Sequence, residues 1–283
     1  MLIVDAQVHI WGADTPERPW PRSGRSRPHR PLPFSRDDLL REMDAAGVAR
    51  VVIVPPSWEG DRNDLALEAA RANPDRFAVM GRPPLTPAER HLLDDWRGQP
   101  GMLGIRVTAS AQDARGLFTE PENDWLWDAA EKNGLPAMVS VPGLLPHVGR
   151  IAERHRGLRL VIDHLALVRD AKDEAAFADL PQLLALAKYP NVAAKASALP
   201  RYSSEPYPYP KLHPYLRRVF EAFGPRRMFW GTDLTGIPCT YAQAIVMFTE
   251  ELPWLRGDDL AWVMGRGTCE WLGWPLPEAA ASI

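Results

Sequence analysis

The chain begins MLIVDAQVHIWG, and three polar residues in that stretch, Asp5, Gln7 and His9, are spaced two apart. In an extended strand this spacing places all three side chains on one face. A histidine at position 7 would complete a metal-gripping pair with His9, but the residue is glutamine. Further along, residues able to do chemistry follow short apolar runs: Arg106 in GIRV, Asp163 and His164 in VIDHL, Lys195 and Ser197 in NVAAKAS, and Asp233 in FWGTDLTG. Carboxylates and imidazoles can take up and deliver protons, and a guanidinium can hold an anion. Each residue alone also has a plain reading. A strand-end histidine can be a satisfied structural group, Asp233 can cap the turn after it, Arg106 can pair with an acid of another strand, and Lys195 can be a structural barrel lysine.

The elements that must position these groups alternate. Eight β-rich runs start at Leu2, Arg50, Arg76, Met102, Leu135, Leu158, Asn191 and Arg227. Helical patterns separate them: SRDDLLREMDAAGV, with Ser35 as N-cap and Gly47 as terminator, then NDLALEAARANP, TPAERHLLDDW, ENDWLWDAAEKNG, LPHVGRIAERH, DLPQLLALAKYP and HPYLRRVFEAFGP. Two further helices, in TYAQAIVMFTEEL and DDLAWVMGRGTCEWLG, close the chain. Buried strands alternating with helices in a chain of 283 residues predict a single-domain (β/α)8 TIM barrel spanning residues 1–283, with extended loops after its strands. An open doubly wound sheet is the competitor, but no GxGxxG or GxxxxGK[ST] follows any strand. In a closed barrel the strand ends share one rim, and strand eight lies beside strand one, so Asp233 is expected near His9. Several ionisable groups on one rim are costly to bury unless they serve a site.

Composition narrows the classes. Hydrophobic residues make up 46% and charged residues 24%, the balance of an ordinary globular chain. A formal net charge of -3 gives no basic footprint for nucleic acid, and no run approaches the roughly 18 apolar residues of a membrane span. The two cysteines, Cys239 and Cys269, and the lack of a signal-like N-terminus lead us to expect a cytoplasmic protein with free thiols. The C-terminal Trp254, Trp262, Trp271 and Trp274 could cover the barrel or a neighbouring copy, so monomer and homo-oligomer both stay open.

VDAQVHIW, VIDHL, NVAAKAS, RMFWGTD and MGRGTCEWLGW together resemble, in order and spacing over nearly the whole chain, the amidohydrolase-2 branch of the amidohydrolase superfamily. That branch contains lactonases of 2-pyrone-4,6-dicarboxylate and of sugar acids, together with nonoxidative decarboxylases. By the resemblance His9 corresponds to the second histidine of the family's metal-binding pair, His164 to its strand-six histidine and Asp233 to the strand-eight aspartate that acts on water. Two positions depart from the pattern. Gln7 stands in place of the first histidine, and Ser140 ends strand five where metal-dependent members often supply another. Catalytic zinc usually takes three protein ligands, so the expectation is that no metal is required. The alternative is one divalent ion, zinc or manganese, on His9, His164 and Asp233.

These readings converge on a metal-independent lactonase. Asp233 is the expected base, with His9 and His164 orienting water and donating to the oxyanion. Arg106 would clamp a substrate carboxylate, and Gln7 would orient carbonyl or water. The loop from Gly12 to Phe34 offers Trp20, Arg22, Arg25, Arg27 and His29, and the segment after strand seven offers Arg201, Tyr202, Tyr207 and Tyr209. With Trp58 and Lys195 they are the expected wall for a small anionic substrate, or else plain packing over the barrel mouth. A decarboxylase of an aromatic or unsaturated acid, and an inactive barrel binding a carboxylate, are the competing functions.

Overall fold

The protein's structure, a computed structural model, describes residues 1–21, 27–109 and 112–277; Arg22 and Arg25 of the arginine-rich loop lie outside them. Eight strands, β1 (Val4–Val8), β2 (Arg50–Ile53), β3 (Phe77–Gly81), β4 (Met102–Thr108), β5 (Ala137–Ser140), β6 (Leu160–Ile162), β7 (Val192–Ala196) and β8 (Met228–Trp230), form one sheet in sequence order. Every neighbouring pair from β1 to β8 is parallel. β8 meets β1 where the Asp233 N–H donates to the Gln7 carbonyl at 2.8 Å, so the sheet curls into the expected (β/α)8 barrel.

The alternation of side chains sorts two cores. Val4, Ala6, Val52, Val54, Ala78, Met80, Leu103, Met138, Val161, Ala193 and Phe229 fill the barrel, joined by Cys269, Leu272 and Trp274 from the C-terminus. Val51, Ile53, Val79, Ile105, Val139, Ile162, Ala194 and Trp230 face the helices instead. Strands buried on both faces explain the near-continuous apolar runs of the sequence.

β1 departs from its expected alternation. Asp5 pairs in register with Val51 and Val8 with Ile53, so three steps on β1 match two on β2. This bulge turns the side chain of Asp5 away from those of Gln7 and His9. Asp5 is tied instead to Tyr241, whose ring stacks at 6.4 Å on the outward-facing Trp230. The one-face reading of Asp5, Gln7 and His9 is therefore corrected, since a single extra residue moves everything before it to the opposite face.

The first helix, Arg36–Ala46, is bounded as its sequence predicts. Ser35 accepts from the Asp38 N–H while the Asp38 carboxylate accepts from the Ser35 N–H, and Gly47 ends the helix at φ 73°. TPAERHLLDDW does not form an α-helix; it makes two 3₁₀ segments, Pro87–Leu93 and Trp96–Gly98. That stretch is short, and Thr86 places its hydroxyl on the Glu89 side chain rather than on the backbone of the first turn. The final helix spans Gly257–Leu272 but widens into a π-turn at Trp262–Arg266. There a Cβ on Gly265 would come within 2.6 Å of the Leu2 carbonyl oxygen, so only glycine lets the helix pass this close beneath β1. It carries Cys269 and Leu272 into the barrel's interior cluster beside Val4 and Phe229. Among the described residues no helix is long and apolar enough to cross a membrane.

Candidate active site

The chain leaves β8 through Gly231 and Thr232 and turns at Asp233, whose φ of 55° lies in the left-handed region that aspartate tolerates better than most residues. Asp5 fixes this exit from behind. Its Oδ1 accepts from the Gln7 and Thr232 N–H groups at 3.0 and 2.9 Å, and its Oδ2 accepts from the Thr232 hydroxyl and from the Tyr241 hydroxyl at 2.8 Å. Burial pushes the Asp5 carboxyl up to about 6 even against these four donors.

Asp233 itself is buried, and its Oδ1 accepts no hydrogen bond among the described residues. His9 Nε2 lies 3.3 Å and His29 Nδ1 3.9 Å from that oxygen, and Arg201 Nη1 lies 3.8 Å from Oδ2. His9 Nδ1 is 2.5 Å from the Val54 carbonyl, which can only accept, so Nδ1 carries the proton and Nε2 presents a bare lone pair. Burial lowers His9 to about 3, with Asp233 only partly opposing it, so the imidazole is neutral near pH 7. Burial alone would raise Asp233, but the surrounding imidazoles and the Arg201 guanidinium outweigh it and hold the carboxyl below the usual carboxylate range. A neutral imidazole and an ionised carboxylate thus offer two acceptors side by side, an arrangement suited to a water that donates one hydrogen to each.

His164 is held differently. It starts three consecutive left-handed residues, His164, Leu165 and Ala166, with φ of 52°, 53° and 54°. Each such residue costs about 1–2 kcal/mol, which marks the turn after β6 as locally strained. Its Nδ1 is 2.8 Å from Ser197 Oγ and its Nε2 is 3.4 Å from Gln7 Nε2. Since Gln7 Oε1 accepts from Lys195 Nζ at 2.5 Å, the Gln7 amide must donate to His164 Nε2. His164 then donates from Nδ1 to Ser197. Burial lowers this imidazole to about 4, partly opposed by Asp233 and Asp163. Neither histidine therefore has a free N–H for an oxyanion, and of the two only His9, at Nε2, keeps a lone pair that no described residue occupies.

Arg106 reaches across from β4 to β6, its Nε 3.1 Å from Asp163 Oδ2 and its Nη1 on the Thr108 hydroxyl. Lys195 Nζ lies 2.7 Å from the other Asp163 oxygen. Burial would raise Asp163, but Lys195 and Arg106 hold it low. The plain reading of Arg106 as partner of an acid is met, although it still faces the cavity.

That cavity, about 120 Å3, is lined by His9, Arg27, His29, Ser57, Trp58, Arg106, Thr108, Ser140, Pro142, Asp163, His164, Leu167, Arg169, Arg201, Tyr202 and Asp233. It brings together the predicted His9, His164, Asp233, His29, Trp58, Arg106 and Arg201. Gln7 and Lys195 are fully buried beneath it and do not line it, because the Gln7–Lys195 bond turns both side chains toward each other. Tyr207 is also absent from the lining; its ring packs edge-on against Tyr209 at 6.1 Å. Tyr202 stands there in its place, beside Arg201. Asp163, one of the polar strand-six end residues, joins the lining without an expected role in the reaction, and Arg169 and Thr108 carry no sequence signal beyond their place just after a strand or at its end. Another cavity, between Trp11, Phe34 and Leu65, is larger and mainly apolar, and no cluster of buried ionisable groups converges on it.

Among the described residues no group of three or more His, Cys, Asp or Glu side chains is arranged to hold an ion. The nitrogen His164 would offer is taken by the Gln7 amide, and β5 contributes the Ser140 hydroxyl.

The amidohydrolase family profile matches residues 4–281. An L-fucono-1,5-lactonase of Burkholderia ambifaria is 30% identical over 248 residues, covering 81% of this chain and 79% of its own. A 4-sulfomuconolactone hydrolase of Hydrogenophaga intermedia is 25% identical over 237 residues, covering 81% of this chain and 73% of its own. Among solved structures, an amidohydrolase from Burkholderia multivorans with bound zinc superposes with a TM-score of 0.78 at 21% identity, over 97% of this chain and 100% of that one.

Proposed function

The chain belongs to the amidohydrolase family, and from that premise we propose that it opens the ring of a small anionic lactone with a water activated at Asp233, without a metal. The observation that carries this reading is the buried, unpartnered Oδ1 of Asp233 beside the bare Nε2 of His9. A water held by both donates its hydrogens to them and turns an oxygen lone pair toward the cavity. As it attacks the carbonyl, Asp233 takes the proton, the ring C–O bond breaks, and the proton passes to the departing oxygen, leaving a hydroxy acid. Charge on the carbonyl oxygen needs donors. Arg106 faces the cavity, and the Trp58 indole N–H is buried there with no partner among the described residues. A lactone is a strained, activated ester, so these donors suffice where an amide would demand more.

Four guanidinium groups line the cavity against two carboxylates, which favours an anionic substrate. The lactonase names of the two relatives above support the same reaction class.

A panel of γ- and δ-lactones carrying carboxylates, followed by acid release before and after chelation, tests the proposal. Acid release unchanged by chelator is the expected result. Carbon dioxide release restored by zinc or manganese would establish the decarboxylase instead, and no turnover of any compound would leave a binding protein. The pH profile is distinctive as well. With burial lowering His9 to about 3, raising the pH through this value frees the acceptor lone pair on its Nε2. Activity should climb to a plateau by about pH 5 and stay level toward neutrality, with no limb near the ordinary imidazole value of about 6.5. Rates of kcat/KM across that range, corrected for spontaneous hydrolysis, show which holds.

A further inference from the structure

Beneath the cavity runs a chain of buried contacts from Asp163 to Lys195, from Lys195 to Gln7, from Gln7 to His164 and from His164 to Ser197. Lys195 is fully buried in the barrel. Its Nζ meets Asp163 Oδ1 at 2.7 Å, Gln7 Oε1 at 2.5 Å, the Ala6 carbonyl at 3.4 Å and the Met138 sulfur at 3.1 Å. All four neighbours can only accept, which matches an ammonium with three hydrogens to give and no lone pair. Asp163 is shared with Arg106, so the cluster of Arg106, Asp163 and Lys195 keeps one positive charge in excess.

We propose that Lys195 is the resident cation of this site and Gln7 its adaptor. Together they occupy the place a divalent ion would need, hold His164 in a single tautomer and keep a fixed positive charge under the cavity, and neither touches substrate. This rests on the hydrolytic reading above. Lys195 and Gln7 are positioning residues within it. The Gln7 amide occupies the Nε2 lone pair that His164 would need to bind an ion, and the ammonium lies one amide group beyond, where it repels a second cation. The glutamine at position 7 is then a working part of the site rather than a lost ligand. Lys195 fixes which end of that amide faces His164. Without the ammonium the amide is free to turn its oxygen toward Nε2, which would pull the imidazole proton across and reverse the bond to Ser197, whose hydroxyl would then donate to Nδ1.

Two measurements test this. Long-range 1H–15N spectra of histidine-labelled wild-type protein near neutral pH, with the His164 signals assigned by their loss in His164→Gln, are expected to show the proton on Nδ1. A proton on Nε2 overturns the proposal. Zinc titrations against a competing chromophoric chelator compare wild type, Gln7→His, and Gln7→His combined with Lys195→Met. The wild type is expected to retain no zinc, the single variant to gain little, and the double variant to bind on the order of a hundredfold tighter than the single one. One zinc per wild-type chain, or equal binding by the two variants, overturns it. If the double variant does not fold, the wild-type spectrum and zinc content decide alone. Lactone assays are read separately. Absent turnover with the expected tautomer strikes only the hydrolytic reading, whereas turnover with the proton on Nε2 strikes only this inference.

Discussion

Asp233→Asn is expected to reduce kcat for lactone opening by about a thousandfold, the middle of the range for removing a general base, while KM and the melting temperature stay close to wild type. The amide has the shape of the carboxylate, and asparagine tolerates the left-handed φ of 55° that this position imposes. The Gln7 carbonyl still accepts the backbone N–H at 2.8 Å, so the turn keeps its anchor. What disappears is an acceptor able to take a full proton. His9 cannot replace it: Nδ1 is committed to Val54, and burial has lowered the basicity of Nε2. The carboxylate is a weak base in the resting site, its carboxyl held below the usual carboxylate range with the Arg201 guanidinium 3.8 Å from Oδ2. Its value therefore lies in aiming the water and taking the proton late, as the attack acidifies it. Initial rates at saturating lactone, beside a thermal melt, measure both halves of the expectation. Activity above a tenth of wild type would place the base elsewhere, and a collapsed melt would assign Asp233 to the fold.

Much of this architecture is legible in the residues themselves, and the exceptions have physical causes. Eight β-rich runs separated by helical patterns suffice to specify a barrel, because parallel strands buried on both faces must be apolar nearly throughout. Asp233 and His164 stand out because ionisable groups ending such runs have one rim to share. Asp5 was misplaced because spacing of two assumes an unbroken period, and the bulge between Asp5 and Val8 adds a residue that leaves no mark in the sequence. Gln7 and Lys195 look like ligand-contacting residues because both are polar and sit on inward strand positions. That they satisfy each other depends on a contact 188 residues apart, which no local pattern records. The π-turn at Trp262–Arg266 answers to packing under Leu2 and is equally invisible to helical periodicity. The histidine tautomers belong to the same class, since the Val54 carbonyl and the Gln7 amide set them from distant strands.

The largest stability effect is expected at Asp163, where one carboxylate serves two buried cations. Asp163→Asn keeps volume and shape but leaves Arg106 and Lys195 facing each other with no compensating charge. Breaking a buried pair in this way typically costs about 3–5 kcal/mol, since the remaining ions keep their desolvation penalty and lose their partner. For a chain of this size that corresponds to a fall in melting temperature of roughly 10 °C. Activity should fall too, because Arg106 borders the cavity and Lys195 carries Gln7. The acid limb of stability separates charge from packing. The neighbouring cations hold the Asp163 carboxyl below its unfolded value, so its contribution is complete above the unfolded value of about 3.9 and is lost as pH falls through the lower folded one. Wild type should thus lose its advantage over Asp163→Asn only under strongly acid conditions and keep it in full near neutrality. Combining Asp163→Asn with Lys195→Met distinguishes an ion pair from a packing defect. Removing both charges together should cost less than the sum of the two single losses, by an amount denaturant titration resolves. Strict additivity would mean that Lys195 and Asp163 do not depend on each other, and the charge balance beneath the cavity would have to be drawn without that pair.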